Sequence, residues 1–265
     1  MPTPRTLSLL AALGCGLGCV FGYRGLVPFA GEVTLAGIDT VRIELPPTEL
    51  SLLGDPTALD LRWQGRFAVL GATRKDAIGQ AERLDLRWEI YQRVGRLSEA
   101  WPAEQADIAQ LEQIELSSAP SRAHEIRGEG DVFVAGIDAF TSVVLDSGNI
   151  EVFGGVDEVR ATTGEGFVHI ATAARVDVEV GAGAVTLELD DPRATEVHTE
   201  GPVEIAVALS DDLAIDIADA GTIVVDLDTV AHVGTSSFQR NLGAGSRPLR
   251  VRAGGGRVDL RMLGP

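Results

Sequence analysis

Seven segments of the chain share the form Gly-x-(Val/Ile)-x-(Val/Ile/Leu), and their spacing constrains the fold more than any other feature of the sequence. They begin at Gly130, Gly148, Gly166, Gly183, Gly201, Gly221 and Gly256, separated by 18, 18, 17, 18, 20 and 35 residues, the last gap being nearly two periods. A second alternating run precedes most of the later glycines, as in Ser142–Asp146, Glu158–Thr162, Val176–Val180, Leu213–Ile217 and Leu249–Arg252. Alternation with β-branched residues marks half-buried strands, and the glycines mark tight turns. A unit of two short strands without a helix cannot bury its own apolar face, so units must stack.

Stacking predicts a β-solenoid in which equivalent residues lie one above another at ~4.8 Å per step. Alternation sends Val132, Val134, Ile150, Val152, Val168, Ile170, Val185, Leu187, Val203, Ile205, Ile223 and Val225 inward as aliphatic columns. Glu151, His169, Thr186 and Glu204 then face outward. Regularly spaced short strands also suit an antiparallel sandwich, although a sandwich does not require a common glycine register.

The succession Gly130-Asp131-Val132-Phe133-Val134, a strand, then Ser147-Gly148-Asn149-Ile150, with Thr163-Gly164-Glu165-Gly166 further on, resembles the bacterial putative-adhesin domain family. Members are β-helical domains of unknown biochemical activity. The resemblance covers roughly residues 120–263 and implies a surface or envelope role. The pattern breaks at Gly201-Pro202 and in Thr235–Ser246, where a protruding loop is expected.

The segment before the repeats reads as a small mixed α+β module over 31–119 that covers the first coil, with the solenoid at 120–263. Glu32–Leu35, Thr40–Leu45, Glu49–Leu53, Leu59–Trp63 and Leu84–Ile90 alternate like strands. Thr73 precedes Asp76 as a helix N-cap would, with Ala77, Ile78, Ala81 and Leu84 on one face, and Pro102–Gln113 reads as a second short helix. Trp63, Trp88 and Trp101 all lie in this module; with Phe238 and Arg240 they are candidates for a surface interaction, although tryptophans in a small module generally pack into its core.

Both cysteines, Cys15 and Cys19, stand among the first twenty residues, so neither a disulfide framework nor a cysteine metal site holds the body together. Arg5 followed by Leu7–Leu13 has the shape of a secretory signal. Ala12-Leu13-Gly14-Cys15 resembles a lipobox, which implies a signal peptide over 1–14, a lipid on Cys15 (Cys19 as the alternative) and a linker over 15–30. The expected address is the cell envelope, as an outer-membrane lipoprotein facing the periplasm or the cell surface.

Composition narrows the chemistry. Asp and Glu number 39 against 22 Lys and Arg, giving a net charge of −17, which argues against nucleic acid as a partner. His124, His169, His198 and His232 are not spaced like metal ligands, and no nucleophile elbow or P-loop is present, so no metal and no cofactor are expected. Asp190-Asp191 and Asp211-Asp212 resemble the acid pairs of β-helical polysaccharide hydrolases, but neighbours on a strand point to opposite faces and Asp is common in turns. Asp216, Asp219, Asp226 and Asp228 raise calcium as a question, while a solvated acidic face, which keeps the chain soluble and discourages strand pairing, is the favoured account of them. The expectation is a non-catalytic envelope module without catalytic residues, meeting an envelope protein, a glycan or its own copy. A carbohydrate-active β-helix enzyme and an envelope stress-signalling protein are the alternatives.

Overall fold

The structure, a computed structural model, describes residues 23–100, 108–154, 157–171, 175–208 and 212–263, so Cys15, Cys19, Trp101 and Asp211 lie outside the described residues. The chain begins with β1 (Tyr23–Thr34), β2 (Thr40–Glu44), β3 (Glu49–Gly54) and β4 (Asp60–Gly71), then α1 (Arg74–Ala81), β5 (Leu86–Tyr91), β6 (Val94–Glu99) and β7 (Ala109–Ser118). Short strands follow: β8 (Ala123–Gly128), β9 (Val132–Ala135), β10 (Thr141–Leu145), β11 (Ile150–Phe153), β12 (Glu158–Glu165) and β13 (Val168–Ala171). Next come β14 (Arg175–Ala182), β15 (Val185–Leu189), β16 (Thr195–Thr199) and β17 (Val203–Val207). Two long strands, β18 (Leu213–Leu227) and β19 (Val230–Asn241), precede β20 (Arg247–Arg252) and β21 (Arg257–Met262).

From β8 to β17 the strands alternate between two parallel ladders, one of odd-numbered and one of even-numbered strands. The odd ladder sets Val132 beside Ile150, Ile150 beside Val168, Val168 beside Val185 and Val185 beside Val203, which is the register of the sequence repeat. Parallel pairing of this kind is not that of an antiparallel sandwich. The inward columns are all buried, and each fully buried aliphatic side chain contributes about 1.5–3 kcal/mol.

The glycines explain why the period is kept. A Cβ added at Gly148 would lie 1.9 Å from the carbonyl oxygen of Gly130, and one at Gly166 would lie 2.0 Å from that of Gly148. Gly183, Gly201 and Gly256 continue this column, each backbone seated on the glycine of the neighbouring level. Only a residue without a side chain fits such a stack.

Both ends depart from sequence order. At one end β2 and β3 pair in parallel with β8 and β9, while β6 and β7 pair with the far sides of β2 and β3. Residues expected in a separate module over 31–119 therefore supply two levels of the same ladders. The stacking begins at Thr40 without a glycine marker, since Gly130 rests on the backbone of Thr48. At the other end β20 and β21 pair with β16 and β17, and the earlier β18 stacks beyond them. This strand bends at Asp219 (φ 58°), so that its first half continues one ladder and its second half the other.

Three further expectations are corrected. Tyr23–Ala30, read as linker, belongs to β1, which pairs antiparallel with β4 along its whole length. Ala109–Gln113, read as helix, lies in β7, whose alternation buries Ala109, Leu111, Ile114 and Leu116 between β3 and β4. Thr235–Asn241, read as a loop, lies in β19, because the otherwise open edge of β18 offers it an antiparallel partner. The helix stands where Thr73 places it, the threonine oxygen accepting from the Asp76 amide at 3.2 Å, with Ala77 and Ala81 buried and Ile78 exposed.

The strands join into one all-β sheet. It runs from β1 through β4, β7, β3 and the odd ladder to β21 and β18, then back through β20 and the even ladder to β2, β6 and β5. The result is a nearly closed, barrel-like wall with α1 as the single helix among the described residues.

Candidate functional site

The outer faces of the two ladders differ in emphasis, since an ion pair also joins Arg261 to Glu204 on the odd ladder. Along the even ladder, charges of opposite sign stand on adjacent strands: Arg42 meets Glu125 at 2.8 Å, Arg96 meets Glu44 at 2.5 Å and Arg252 meets Asp216 at 2.9 Å. These pairs close one another off. The odd ladder carries three of the chain's eight phenylalanines, Phe133, Phe153 and Phe167, around Glu151.

Register accounts for the grouping. The alternation that buries Val132, Val134, Ile150 and Val152 turns Phe133, Glu151 and Phe153 outward. Phe153 stands between Ala135 and Ala171 on the adjacent strands, and these small neighbours leave room for its ring to lean over the next column. There it meets Phe133 with ring centroids 5.6 Å apart and His169 edge-on at 5.1 Å. Such tilted and edge-to-face contacts are favoured aromatic arrangements. His169 Nε2 lies 3.7 Å from Glu188 Oε1 on β15.

A second set of bonds fixes the turn that precedes each strand. Asp131 Oδ1 accepts from both the backbone N–H and the Nδ2 of Asn149 at 2.9 Å, and Asn149 Oδ1 accepts from the Phe167 amide at 3.0 Å. Levels 18 residues apart are thus tied by side chains as well as by the ladder. One Nδ2 hydrogen of Asn149 remains available, as does the Glu151 carboxylate, which makes no side-chain bond among the described residues. Phe133, Phe167, Asn149, Glu151, Asp131 and Ser51 line a shallow recess of about 300 Å³. Phe133 is 36% exposed and Phe167 40%, so two flat apolar surfaces flank an unpaired acceptor.

Larger concavities of about 510 and 540 Å³ lie over β1, β4 and β7. Their polar groups satisfy each other: Gln64 donates to Glu115 at 2.9 Å, Arg62 lies 3.6 Å from Glu32, and Arg66 donates to Gln113. The partly buried Trp63 also lines the first of these recesses.

The residues singled out in the sequence lie apart from the aromatic face. Trp63 packs partly buried against the core and covers Gly31 of β1, and Trp88 does the same over Gly95 of β6. Phe238 meets His232 on β19 with the rings tilted and their centroids 4.6 Å apart, and Arg240 is exposed two residues on. Of the residues assigned outward positions, Glu151 and His169 stand in the cluster, on adjacent strands. Phe133 and Phe153 are legible from the same alternation, since both fall on its outward half, one period apart save for two residues.

Three of the acids are engaged structurally. Asp191 pairs with Arg247. Asp212 accepts from the Ser246 hydroxyl and amide, bonds that hold its carboxyl below the usual range, and Arg252 and Gln239 do the same for Asp216. No three His, Cys, Asp or Glu side chains converge to hold a metal ion among the described residues, Asp216, Asp219, Asp226 and Asp228 included. No helix among them is long and apolar enough to cross a membrane.

No family model and no curated protein matches the chain. Its structure is similar to that of a putative cell adhesion protein from Clostridium sporogenes, at 13% identity over 90% of this chain and 100% of the other, with a TM-score of 0.39. It is also similar to a putative adhesin from Bacteroides fragilis (10% identity, 88% and 97% covered, TM-score 0.33) and to one from Parabacteroides distasonis (9%, 88% and 97%, TM-score 0.36).

Proposed function

We propose that the protein is a non-catalytic β-solenoid of the cell envelope that binds a glycan chain across the Phe133–Phe153–His169 face of its odd ladder. The solenoid reading rests on the alternation of successive strands between two parallel ladders, with equivalent residues one period apart. The observation that carries the binding reading is the pairing of exposed rings with unspent polar groups. Phe133 and Phe167 offer faces to the C–H side of a sugar, while the Glu151 carboxylate and the free Asn149 N–H accept from and donate to its hydroxyls. Phe133 and His169 are two strand steps apart, about 10 Å, a span suited to an extended chain of sugars.

The non-catalytic reading is supported by the state of the carboxylates. Asp191 is tied to Arg247, Asp212 to Ser246, and Asp216 to Arg252 and Gln239, so these acids serve the contacts between strands and turns. An envelope address is supported by the signal-like N-terminus, with lipid on Cys15 or Cys19 as its anchor. Fractionation of cells carrying Cys15→Ser together with Cys19→Ser should move the protein out of the membrane fraction.

Binding is tested on an array of bacterial surface polysaccharides, followed by titration of the best ligand. Phe133→Ala and Glu151→Gln should each weaken it by at least about tenfold, the level expected for losing one stacked ring or one charged hydrogen bond. Equal binding by both variants would move the site elsewhere. Cleavage of the polysaccharide would favour the two-carboxylate enzyme instead.

A further inference from the structure

We propose that β19 is a dimerisation edge, through which two copies of the chain pair antiparallel about a twofold axis and join their stacks end to end. Among the described residues β19 is bonded on one side only, to β18, and its other side presents backbone N–H and C=O groups in two runs, on either side of Ser236 (φ 71°), where the register with β18 shifts. An open edge pairs with another chain unless it is guarded by charge, proline, a bulge or a covering element, and the regular run Val230–Gly234 carries none of these among the described residues.

The free edges of this molecule are guarded unequally. At the opposite end β1 carries Arg24, Pro28 and Glu32, and β5 carries Arg87 and Glu89. From Val230 to Gln239, β19 contains no Asp, Glu, Lys or Arg, in a chain that is 23% charged. A strand placed antiparallel to its own copy brings like charges together, and each such pair is unfavourable. For a chain of net charge −17, this uncharged segment is where a second copy approaches at least cost.

The core points the same way. Val230 and Phe238 pack against its last layer but remain half-buried, with the His232 ring tilted against Phe238. A second copy would set its own Val230, His232 and Phe238 over these and make the two cores continuous. Because the contact is isologous and the far end is guarded, assembly closes at two copies and does not run on into a filament.

Sedimentation velocity of the full chain should show a concentration-dependent dimer. Val233→Glu, at a position 77% exposed and on the side of β19 away from the core, should weaken the dimer by at least about tenfold with the melting temperature of the monomer unchanged. A photoreactive side chain at Gln239 should crosslink to β19 of the second copy, which locates the contact without disturbing the edge. A chain that stays monomeric to about 100 μM, a dimer indifferent to Val233→Glu, or crosslinks to segments other than β19 would each overturn the proposal.

Discussion

At the level of single residues, the glycine column and the buried histidine make demands of opposite kinds. Gly148 adopts φ +130° and lies against the Gly130 carbonyl oxygen, so a methyl group there meets both a strained backbone and an atom it cannot pass. Gly148→Ala should destabilise the protein by roughly 2–4 kcal/mol, because levels on both sides must part to admit it. Gly79 is the internal control. It lies in α1 with nothing within 4 Å of an added Cβ, and Gly79→Ala should stabilise by about 0.5–1 kcal/mol through helix propensity alone. Denaturant titration of the two variants reads the difference directly; equal effects would mean that the column is not close-packed. His124, fully buried on β8 with Nε2 2.9 Å from Ser118 Oγ, is held neutral, its pKa lowered from 6.5 to about 4 by desolvation. The unfolded chain therefore takes up a proton before the folded chain does. Its contribution is complete above pH 6.5 and is lost as the pH falls towards 4, an effect on the order of 3 kcal/mol. The stability of wild type minus that of His124→Leu should fall across this window; a constant difference would exclude the buried imidazole as the titrating group.

At the level of elements, what could be read from the sequence follows from what repeats. The inward valines and leucines recur with the glycines, so their columns and the strand boundaries around them are visible without a structure. Thr40–Gly54 was not visible as part of the stack, because its level lacks the leading glycine and instead offers the Thr48 backbone to Gly130. Nor could sequence spacing reveal that β18 stacks outside β20 and β21. The 35-residue gap between Gly221 and Gly256 signals an interruption, but not that the later glycine returns to the inner place, against the carbonyl of Gly201. Long-range pairing decides both points, and it also draws β7 and β19 into strands where local sequence suggested a helix and a loop. The candidate site was half legible: alternation gives its outward direction, while the lean of Phe153 between two alanines depends on which neighbours the register supplies.

At the level of the whole molecule, two electrostatic effects compete, and their sizes decide which governs stability. Ion pairs such as Arg42–Glu125 and Arg252–Asp216 are partly exposed, and exposed pairs are typically worth no more than about 1 kcal/mol each. Against them stands an excess of 17 acids over bases, carried by a chain whose interior is almost wholly aliphatic, so the uncompensated charge lies on the outside of the wall. Repulsion among these acids opposes the compact state and acts over distances longer than a hydrogen-bonded pair. Salt shortens the reach of both, to about 10 Å at 0.1 M and about 3 Å at 1 M. Screening weakens these partly exposed pairs as well, but each is worth little to begin with, while the diffuse repulsion between levels of the stack loses most of its strength. The melting temperature should therefore rise as sodium chloride is increased from low ionic strength towards 1 M, measured by calorimetry at neutral pH. A fall over the same range would mean that the ion pairs of the even ladder, despite their exposure, outweigh the acid excess.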